Sequence, residues 1–155
     1  MVEIKKILYA TDFSELSRCA LDYACYLARR CEAELLCLHV VDDSYQYWLT
    51  MEVAAVPAGP PVEEVVTAAE EHLRKFLAEH AAGDINTRAT VLTGRPFVEI
   101  IRCAREEQAD LIVMGTHGRG GLRQVLMGSV VEKVARKSPC PVLTVRDPGH
   151  QFEMP

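Results

Sequence analysis

Short, almost wholly apolar runs are the feature that most restricts the fold of this chain. Residues 33–41 (AELLCLHVV) and residues 111–114 (LIVM) contain very few polar side chains. A strand with one solvated face alternates apolar and polar residues, whereas a parallel strand covered on both faces is apolar throughout. These runs therefore predict an α/β protein with a buried parallel sheet.

Apolar residues between these runs recur at helical spacing and predict four helices. The segment 62–82 shows the pattern best, with an apolar stripe from Val62 to His80 and charged residues away from it. We expect helices and strands to alternate along the chain. The expected helices are 15–31, 62–82, 97–108 and 129–137, and the expected strands are 4–10, 33–41, 85–92, 111–114 and 142–145.

A few residue types mark where the helices begin and end. Asp12 with Glu15 has the spacing of a capping box, and Ser14 is a second candidate for the N-cap of the first helix. Pro96 suits the first turn of the third helix, and Gly83 is expected to end the second helix.

The order βαβαβαβαβ predicts a single domain over residues 1–146, followed by a loose tail over 147–155. We expect a three-layer α/β/α sandwich around a five-stranded parallel sheet. Right-handed crossovers leave few topologies, and the strand order 3-2-1-4-5 fits them.

Composition excludes several classes of protein. The chain has 155 residues, a net charge of −5 and a pI of about 5.5, which disfavours a general nucleic-acid binder. No apolar run approaches the roughly 20 residues that span a bilayer, so we expect no membrane association. The N-terminal sequence MVEIKKILYA lacks the features of a signal peptide, and we expect a cytoplasmic protein.

Six cysteines need an explanation. Cys19, Cys25, Cys31 and Cys37 recur at every sixth position, which puts the first three on different faces of one helix. No C-x-x-C motif is present, and a metal or redox site is disfavoured. We expect buried or half-buried free thiols.

Residues 42–61 (DDSYQYWLTMEVAAVPAGPP) show no clear periodicity. A connection of this length is usually functional or locally structured. It is either a surface excursion or a lid or partner contact, and the sequence favours the first interpretation slightly.

The most informative stretch is residues 111–131, LIVMGTHGRGGLRQVLMGSVV. An apolar strand ends at Gly115, a glycine-rich loop with Arg119 and Arg123 follows, and a helix begins near Ser129. Glycines let backbone N–H groups approach an anion, and a helix N-terminus offers free donors. The glycines either bind phosphate or serve only to turn the chain.

The expected strand order brings this loop beside the turn at residues 10–12. In open α/β sheets, ligands bind at the carboxyl ends of strands where the strand order reverses. Ala10, Thr11 and Asp12 would then face Gly115 to Arg119, and a carboxylate beside an anion-binding loop suits a nucleotide. Neither G-x-x-x-x-G-K-[ST] nor a G-x-G-x-x-G after the first strand is present, so a P-loop or standard dinucleotide site is not expected.

The chain resembles the universal stress protein family over nearly its whole length, from KILYATDFS through LHVVD to PVLTV. Its G-x2-G-x9-G-S spacing resembles the ATP-binding branch of that family, which has an adenine nucleotide alpha-hydrolase-like fold. The resemblance implies that Asp12 and the backbone of Val40 hold adenine and ribose. It also implies phosphate binding by one group of residues, Gly115, Gly118, Gly128, Ser129 and the N–H of Val130, with Met114, His117 and Arg119 as neighbours typical of that branch.

The resemblance also implies a homodimer through the last strand, and an apolar edge strand over 142–145 has its own tendency to pair. Three functions remain open. The first is a stress-response regulator that binds ATP, ADP or AMP and thereby controls binding to a protein partner. The second is a slow ATPase or nucleotidyl-transfer enzyme, with His117 as the nearest possible base and Mg²⁺ held by the phosphates alone. The third is a structural dimer with an empty crevice.

Overall fold

The computed structural model of the chain describes residues 1–43, 59–81, 83–116 and 128–146. In these parts, strands and helices alternate as the sequence predicts. The strands are β1 (Lys6–Thr11), β2 (Glu34–Asp42), β3 (Thr87–Gly94), β4 (Leu111–Gly115) and β5 (Val142–Val145). The helices are α1 (Glu15–Cys31), α2 (Val62–His80), α3 (Pro96–Glu106) and α4 (Ser129–Lys137).

The five strands form one parallel sheet in the order β3-β2-β1-β4-β5. This confirms both the predicted topology and the three-layer architecture. β1 lies at the centre, paired with β2 on one side and with β4 on the other. The strand order reverses between β1 and β4, so their carboxyl ends flank the expected crevice.

Alternate residues of the central strands supply two separate cores. Ile7 and Tyr9 of β1 belong to a buried cluster with α1 and α2, whereas Leu8 and Ala10 belong to a cluster with α3 and α4. The period of two along a strand explains this division. Because both faces are covered there, β2 and β4 are almost wholly apolar, as the sequence indicates, whereas β3 keeps polar and exposed residues.

Several predicted boundaries are displaced by about one turn or less. β1 begins at Lys6 rather than at residue 4, and β3 spans Thr87–Gly94 rather than 85–92. Thr93 and Gly94 have turn-forming composition, but they still pair with Val41 and Asp42 of β2. Pairing with a neighbouring strand therefore extends β3 past the point where local sequence suggests a turn.

Of the two candidate N-caps of α1, Ser14 is confirmed and the Asp12–Glu15 capping box is wrong, as is the predicted end of α2 at Gly83. Ser14 is the N-cap of α1, and its hydroxyl accepts a hydrogen bond from the backbone N–H of Ser17 at 3.2 Å. Asp12 lies outside the helix, so the Asp12–Glu15 capping box does not form. α2 ends at His80 with Ala81 as its C-cap, before Gly83, because Ala81 in extended conformation already ends the helix.

Helix α2 buries less of its apolar stripe than its spacing predicts. Leu73, Phe76 and Leu77 are buried, whereas Val62 is 37% exposed. Helical spacing tells which side chains share a face, but it does not tell how much of that face is covered. Only the C-terminal half of α2 buries its stripe.

All six cysteines lie in the described residues and are free thiols, as predicted. Cys25, Cys37 and Cys103 are buried, and Cys19 and Cys140 are half-buried. Cys31 is exposed, which differs from the prediction because it is the last residue of α1 and has passed beyond the core.

Two predicted segments lie largely outside the described residues. They are most of the irregular segment 42–61, of which 44–58 is not described, and the tail 147–155. In the parts of the chain that are described, none of the helices combines the length and the apolar character needed to cross a membrane.

Candidate functional site

The ends of β1 and β4 meet where the sequence predicts the crevice. Ala10 of β1 pairs with Met114 of β4, and both are on the side of the sheet that α3 and α4 cover. Ala10 is 7% exposed and Met114 is 5% exposed. These two predicted site residues are therefore adjacent, but each has little side-chain surface to offer a ligand.

A backbone hydrogen bond brings the start of α4 back to the end of β4. The amide of Gly128 donates to the carbonyl oxygen of Thr116 at 2.7 Å. The amide of Thr116 in turn donates to the carbonyl oxygen of Val145 at 2.9 Å. Thr116 is 2% exposed, so this junction is buried. The N-terminus of α4 is thus fixed beside the carboxyl end of β4.

The first turn of α4 is suited to an anion. Gly128 is the N-cap and has no side chain that could occupy the first amides. Ser129 is the first helical residue and is exposed, so it does not have the N-cap role that its hydroxyl also suggests. The acidic residue of this turn, Glu132, pairs with Arg136 at 2.9 Å. The first amides of a helix have no acceptor within the helix, and together with the helix dipole they make this end partly positive.

Gly115 has a packing role that does not depend on any ligand. A β-carbon at this position would lie 3.1 Å from Cγ of Leu16 and 3.2 Å from the carbonyl atoms of Leu16. The first turn of α1 therefore approaches β4 so closely that an alanine at this position would require Leu16 to shift by a few tenths of an ångström. Close helix–strand contact explains this glycine at least as directly as phosphate binding does.

Thr11 builds the turn between β1 and α1. Its hydroxyl oxygen accepts a hydrogen bond from the amide of Phe13 at 3.0 Å and lies 2.9 Å from the hydroxyl of Ser17. Ser17 donates its own hydroxyl hydrogen to the carbonyl of Ser14, so Thr11 is the donor in the shared bond. The Thr11 side chain is buried and internally bonded, and only its backbone can take part in a ligand site.

The phenol of Tyr9 stabilises the same connection between β1 and α1 by a hydrogen bond. Its hydroxyl donates to the carbonyl oxygen of Ser17 at 2.6 Å, and the residue is fully buried. Burial raises the pKa of the Tyr9 phenol, and the hydrogen bonds with Thr11 and Ser17 offset part of this increase. Tyr9 therefore stays protonated and acts as a structural donor.

Asp12 directly follows Thr11, the last residue of β1, and so lies at the carboxyl end of the sheet. One carboxylate oxygen accepts a hydrogen bond from the amide of Ser14 at 3.0 Å, which orients the side chain. The residue is half-buried. A carboxylate accepts several hydrogen bonds, so this contact is compatible with a ligand that donates from hydroxyl or amino groups.

Val40 lies on β2, opposite Leu92 of β3, and packs half-buried against the core beneath α3 and α4. The preceding residue, His39, is on the other face, and its Nδ1 is 2.9 Å from the carbonyl oxygen of Thr11. The ends of β1, β2 and β4 therefore form one connected rim. His117, Gly118 and Arg119 lie outside the described residues, so their predicted roles remain predictions.

A cluster of aromatic rings beside this rim was not predicted from the sequence. Phe13 has a left-handed backbone (φ 63°), and its ring stacks on the imidazoles of His39 and His72 with centroid distances of 4.4 Å and 4.2 Å. His39 is on β2 and His72 on α2. Spacing along the chain does not relate these positions, so only the fold brings them together.

A doubly wound parallel sheet with a polar turn and a glycine-capped helix at its reversal point defines an α/β ligand-binding domain. Comparison with known proteins identifies the type. The chain belongs to the universal stress protein family, whose family model matches residues 3–146.

Relatives cover almost the whole chain. The chain is 38% identical over 144 residues to the universal stress protein MJ0531 of Methanocaldococcus jannaschii, covering 93% of this chain and 83% of the relative. The solved structure of MJ0577, from the same organism, is 31% identical to this chain, with a TM-score of 0.80. The match covers 96% of this chain and 100% of that chain. A universal stress protein solved in complex with cAMP shares the fold, with a TM-score of 0.65 and 24% identity over 94% of this chain and 98% of that one.

Proposed function

We propose that this protein binds an adenine nucleotide, ATP, ADP or AMP, as a regulatory ligand in a stress response. The observation that carries the proposal is the 2.7 Å hydrogen bond from the amide of Gly128 to Thr116. It fixes a glycine-capped helix start at the end of β4, next to the strand that leads to Asp12. An anion receptor and a carboxylate at one crevice match the two ends of a nucleotide.

The phosphate end of the proposed site is the first turn of α4. Gly128, Ser129 and Val130 supply the backbone, and Gly118, His117 and Arg119 belong to the loop that precedes it. Backbone N–H groups at a helix start bind phosphate without a lysine. Mg²⁺ would then bind to the phosphates and water rather than to protein side chains.

The base and sugar end of the proposed site is the rim formed by Asp12 and Val40. The carboxylate of Asp12 would accept hydrogen bonds from ribose hydroxyls or the amino group of adenine. The backbone of Val40 would meet the base edge. The relative solved with cAMP supports adenine nucleotides as the ligand class, since its fold is the same.

The regulatory part of the proposal concerns partners. β5 is an edge strand whose residues Val142, Leu143 and Thr144 are half-buried, and a second copy of the chain could pair with this edge. A ligand that binds one conformation better than another shifts the population towards it. Nucleotide bound between β4 and α4 would thereby bias the binding of a protein client.

Isothermal titration with ATP, ADP, AMP and adenosine tests the proposal. We expect binding by the wild type, and nucleotide released from freshly purified protein should be identified by mass spectrometry. Gly118→Val should abolish phosphate binding because it blocks close approach of the backbone. Gly83→Val is the matched control, since nothing lies within 4 Å of a β-carbon there. No heat and no thermal shift with any of the four ligands would refute nucleotide binding.

A further inference from the structure

The turn that carries Asp12 contains an unfavourable backbone conformation. Phe13 has φ of 63°, in the left-handed region that residues with a β-carbon rarely adopt. Its amide donates to the hydroxyl oxygen of Thr11 at 3.0 Å, which accounts for the local hydrogen bonding. Strained residues persist where surrounding contacts determine them, and such residues cluster at functional sites.

The contacts that determine Phe13 are made by its ring. His39 of β2 stacks on it with a centroid distance of 4.4 Å and an interplanar angle of 31°. His72 of α2 stacks on it at 4.2 Å and 32°, and Phe76 of α2 meets it edge-on at 5.7 Å. Offset and edge-on ring pairs are favourable beyond their buried area. The ring therefore links the turn to a strand and a helix that are distant in sequence.

Asp12 lies between two residues that this cluster holds. On one side, Nδ1 of His39 is 2.9 Å from the carbonyl oxygen of Thr11, and because a carbonyl only accepts, Nδ1 carries the hydrogen. On the other side is Phe13, whose ring contacts both imidazoles. The carboxylate itself is oriented by the amide of Ser14 at 3.0 Å. His39 thus fixes both neighbours of Asp12, one through a hydrogen bond and one through stacking.

We propose that Phe13, whose ring contacts both His39 and His72, is a positioning residue that sets the affinity of the site by holding Asp12 at the end of β1. It acts through Asp12 and does not touch the ligand. The inference rests on the proposed function, because it assigns Asp12 to the nucleotide. It adds that helix α2, on the far side of the sheet from α3 and α4, is coupled to ligand binding through the ring of His72.

The test is isothermal titration with AMP, together with thermal unfolding of the same variants. Phe13→Gly removes the ring and accepts the left-handed backbone, so a loss of affinity would not come from new backbone strain. We expect its Kd for AMP to rise about tenfold, the factor expected when one or two ring pairs are lost. His72→Ala should raise the Kd about threefold, and His72→Phe, which keeps a ring, should restore it. Tyr23→Ala is the matched control, an aromatic residue of α1 that is 54% exposed.

A double-mutant cycle with Asp12→Ala distinguishes positioning from general loosening. If Phe13 acts through Asp12, Phe13→Gly should have little further effect once the carboxylate is gone. Additive losses would overturn the coupling, and unchanged affinity in Phe13→Gly would overturn the role of the ring. If circular dichroism shows that Phe13→Gly is unfolded, the two variants His72→Ala and His72→Phe at the exposed position 72 decide in its place. A wild type that binds neither AMP nor ATP would overturn the proposed function itself, and the inference with it.

Discussion

Gly115 and Leu16 are in such close contact that a β-carbon on Gly115 would lie 3.1 Å from Cγ of Leu16 and 3.2 Å from its backbone carbonyl. Leu16 is in the first turn of α1, and Gly115 is the last residue of β4. The contact fixes the distance between the helix that follows Asp12 and the strand that leads to the glycine-rich loop. The glycine therefore allows α1 to pack closely on the end of β4.

Gly115→Ala should destabilise the protein whether or not nucleotide is present. The added methyl group overpacks a contact that includes backbone atoms, which costs about 1–3 kcal/mol. Urea denaturation without ligand measures the loss. Leu16→Ala in the same chain should recover only part of it, because the carbonyl of Leu16 remains close. Gly83→Ala, at an open position, should change stability far less, and an equal loss there would contradict the packing argument.

Ser129→Pro should weaken phosphate binding without disturbing the fold. Proline is favoured at the first helical position, and Gly128 before it has the extended backbone (φ −68°, ψ 154°) that proline requires. The substitution removes one backbone N–H, so ATP affinity should fall about tenfold, as for one charge-assisted hydrogen bond. Adenosine affinity should be unchanged. Ser129→Ala keeps the N–H and should bind ATP nearly as the wild type does.

Asp12→Asn should reduce affinity for adenosine, AMP and ATP by the same factor. An amide keeps one acceptor oxygen but loses the charge, and a hydrogen bond to a charged group contributes about 1.5–3 kcal/mol. Titration calorimetry with the three ligands gives the three ratios. A loss confined to ATP would place Asp12 at the phosphates instead. Asp42→Asn, an exposed carboxylate at the end of β2, is the control for general charge effects.

An ion-pair cluster at the amino ends of β1 and β3 should make the stability of the protein depend on pH. Glu107 bonds to Arg88 at 2.5 Å and 3.1 Å and pairs with Lys6 at 3.3 Å. The Arg88 guanidinium lowers the pKa of Glu107 from 4.5 to about 2, with a smaller contribution from Lys6. A carboxylate whose pKa is lower in the folded state stabilises that state at pH values above its unfolded-state pKa. This stabilisation is lost as the pH falls towards the folded-state pKa.

Glu107→Gln should therefore be less stable than the wild type at neutral pH, and the difference should shrink as pH falls through about 4.5 towards about 2. Urea midpoints at both ends of this range measure it. Arg88→Met removes the partner and should show the same convergence. A constant difference at all pH values would mean that packing, and not the ion pair, accounts for the loss.

Thr144→Pro should dissociate the proposed dimer and leave the monomer folded. The carbonyls of Pro141 and Val145 accept hydrogen bonds from the amides of Ile112 and Thr116, so alternate residues of β5 face β4. Thr144 is out of phase with them, and its amide points to the open edge. Light scattering after gel filtration measures the mass. Leu143→Pro, in phase with the β4 pairing, should instead disrupt the fold.

The architecture could be predicted from the sequence because it depends mainly on the spacing of apolar residues along the chain. The apolar runs at β2 and β4 and the helical stripes between them require two covered faces, and chirality then leaves few strand orders. The turn from Ala10 to Asp12 and the loop that starts at Gly115 were predicted to face each other on the same grounds, because both follow strand ends on one side of the sheet. These predictions needed no knowledge of particular side-chain contacts.

The features that sequence reasoning missed are contacts between distant segments. Ser14 and Asp12 are both acceptable caps by composition, and only the path of the chain after Thr11 decides between them. Phe13 in a left-handed conformation has no residue-type signature, and its partner His72 is on a different helix. Likewise, Gly115 was attributed to phosphate approach because the proximity of Leu16 exists only in the folded chain.

The hydrogen bond between Gly128 and Thr116 has one more consequence, which concerns chain length. It closes residues 117–127 into a ring whose two ends are already joined by the fold. The entropy of closing such a ring grows slowly, by only about 0.6 kcal/mol for each doubling of its length. Insertions or deletions between Thr116 and Gly128 should thus cost the sheet little stability, even where they change what the segment binds.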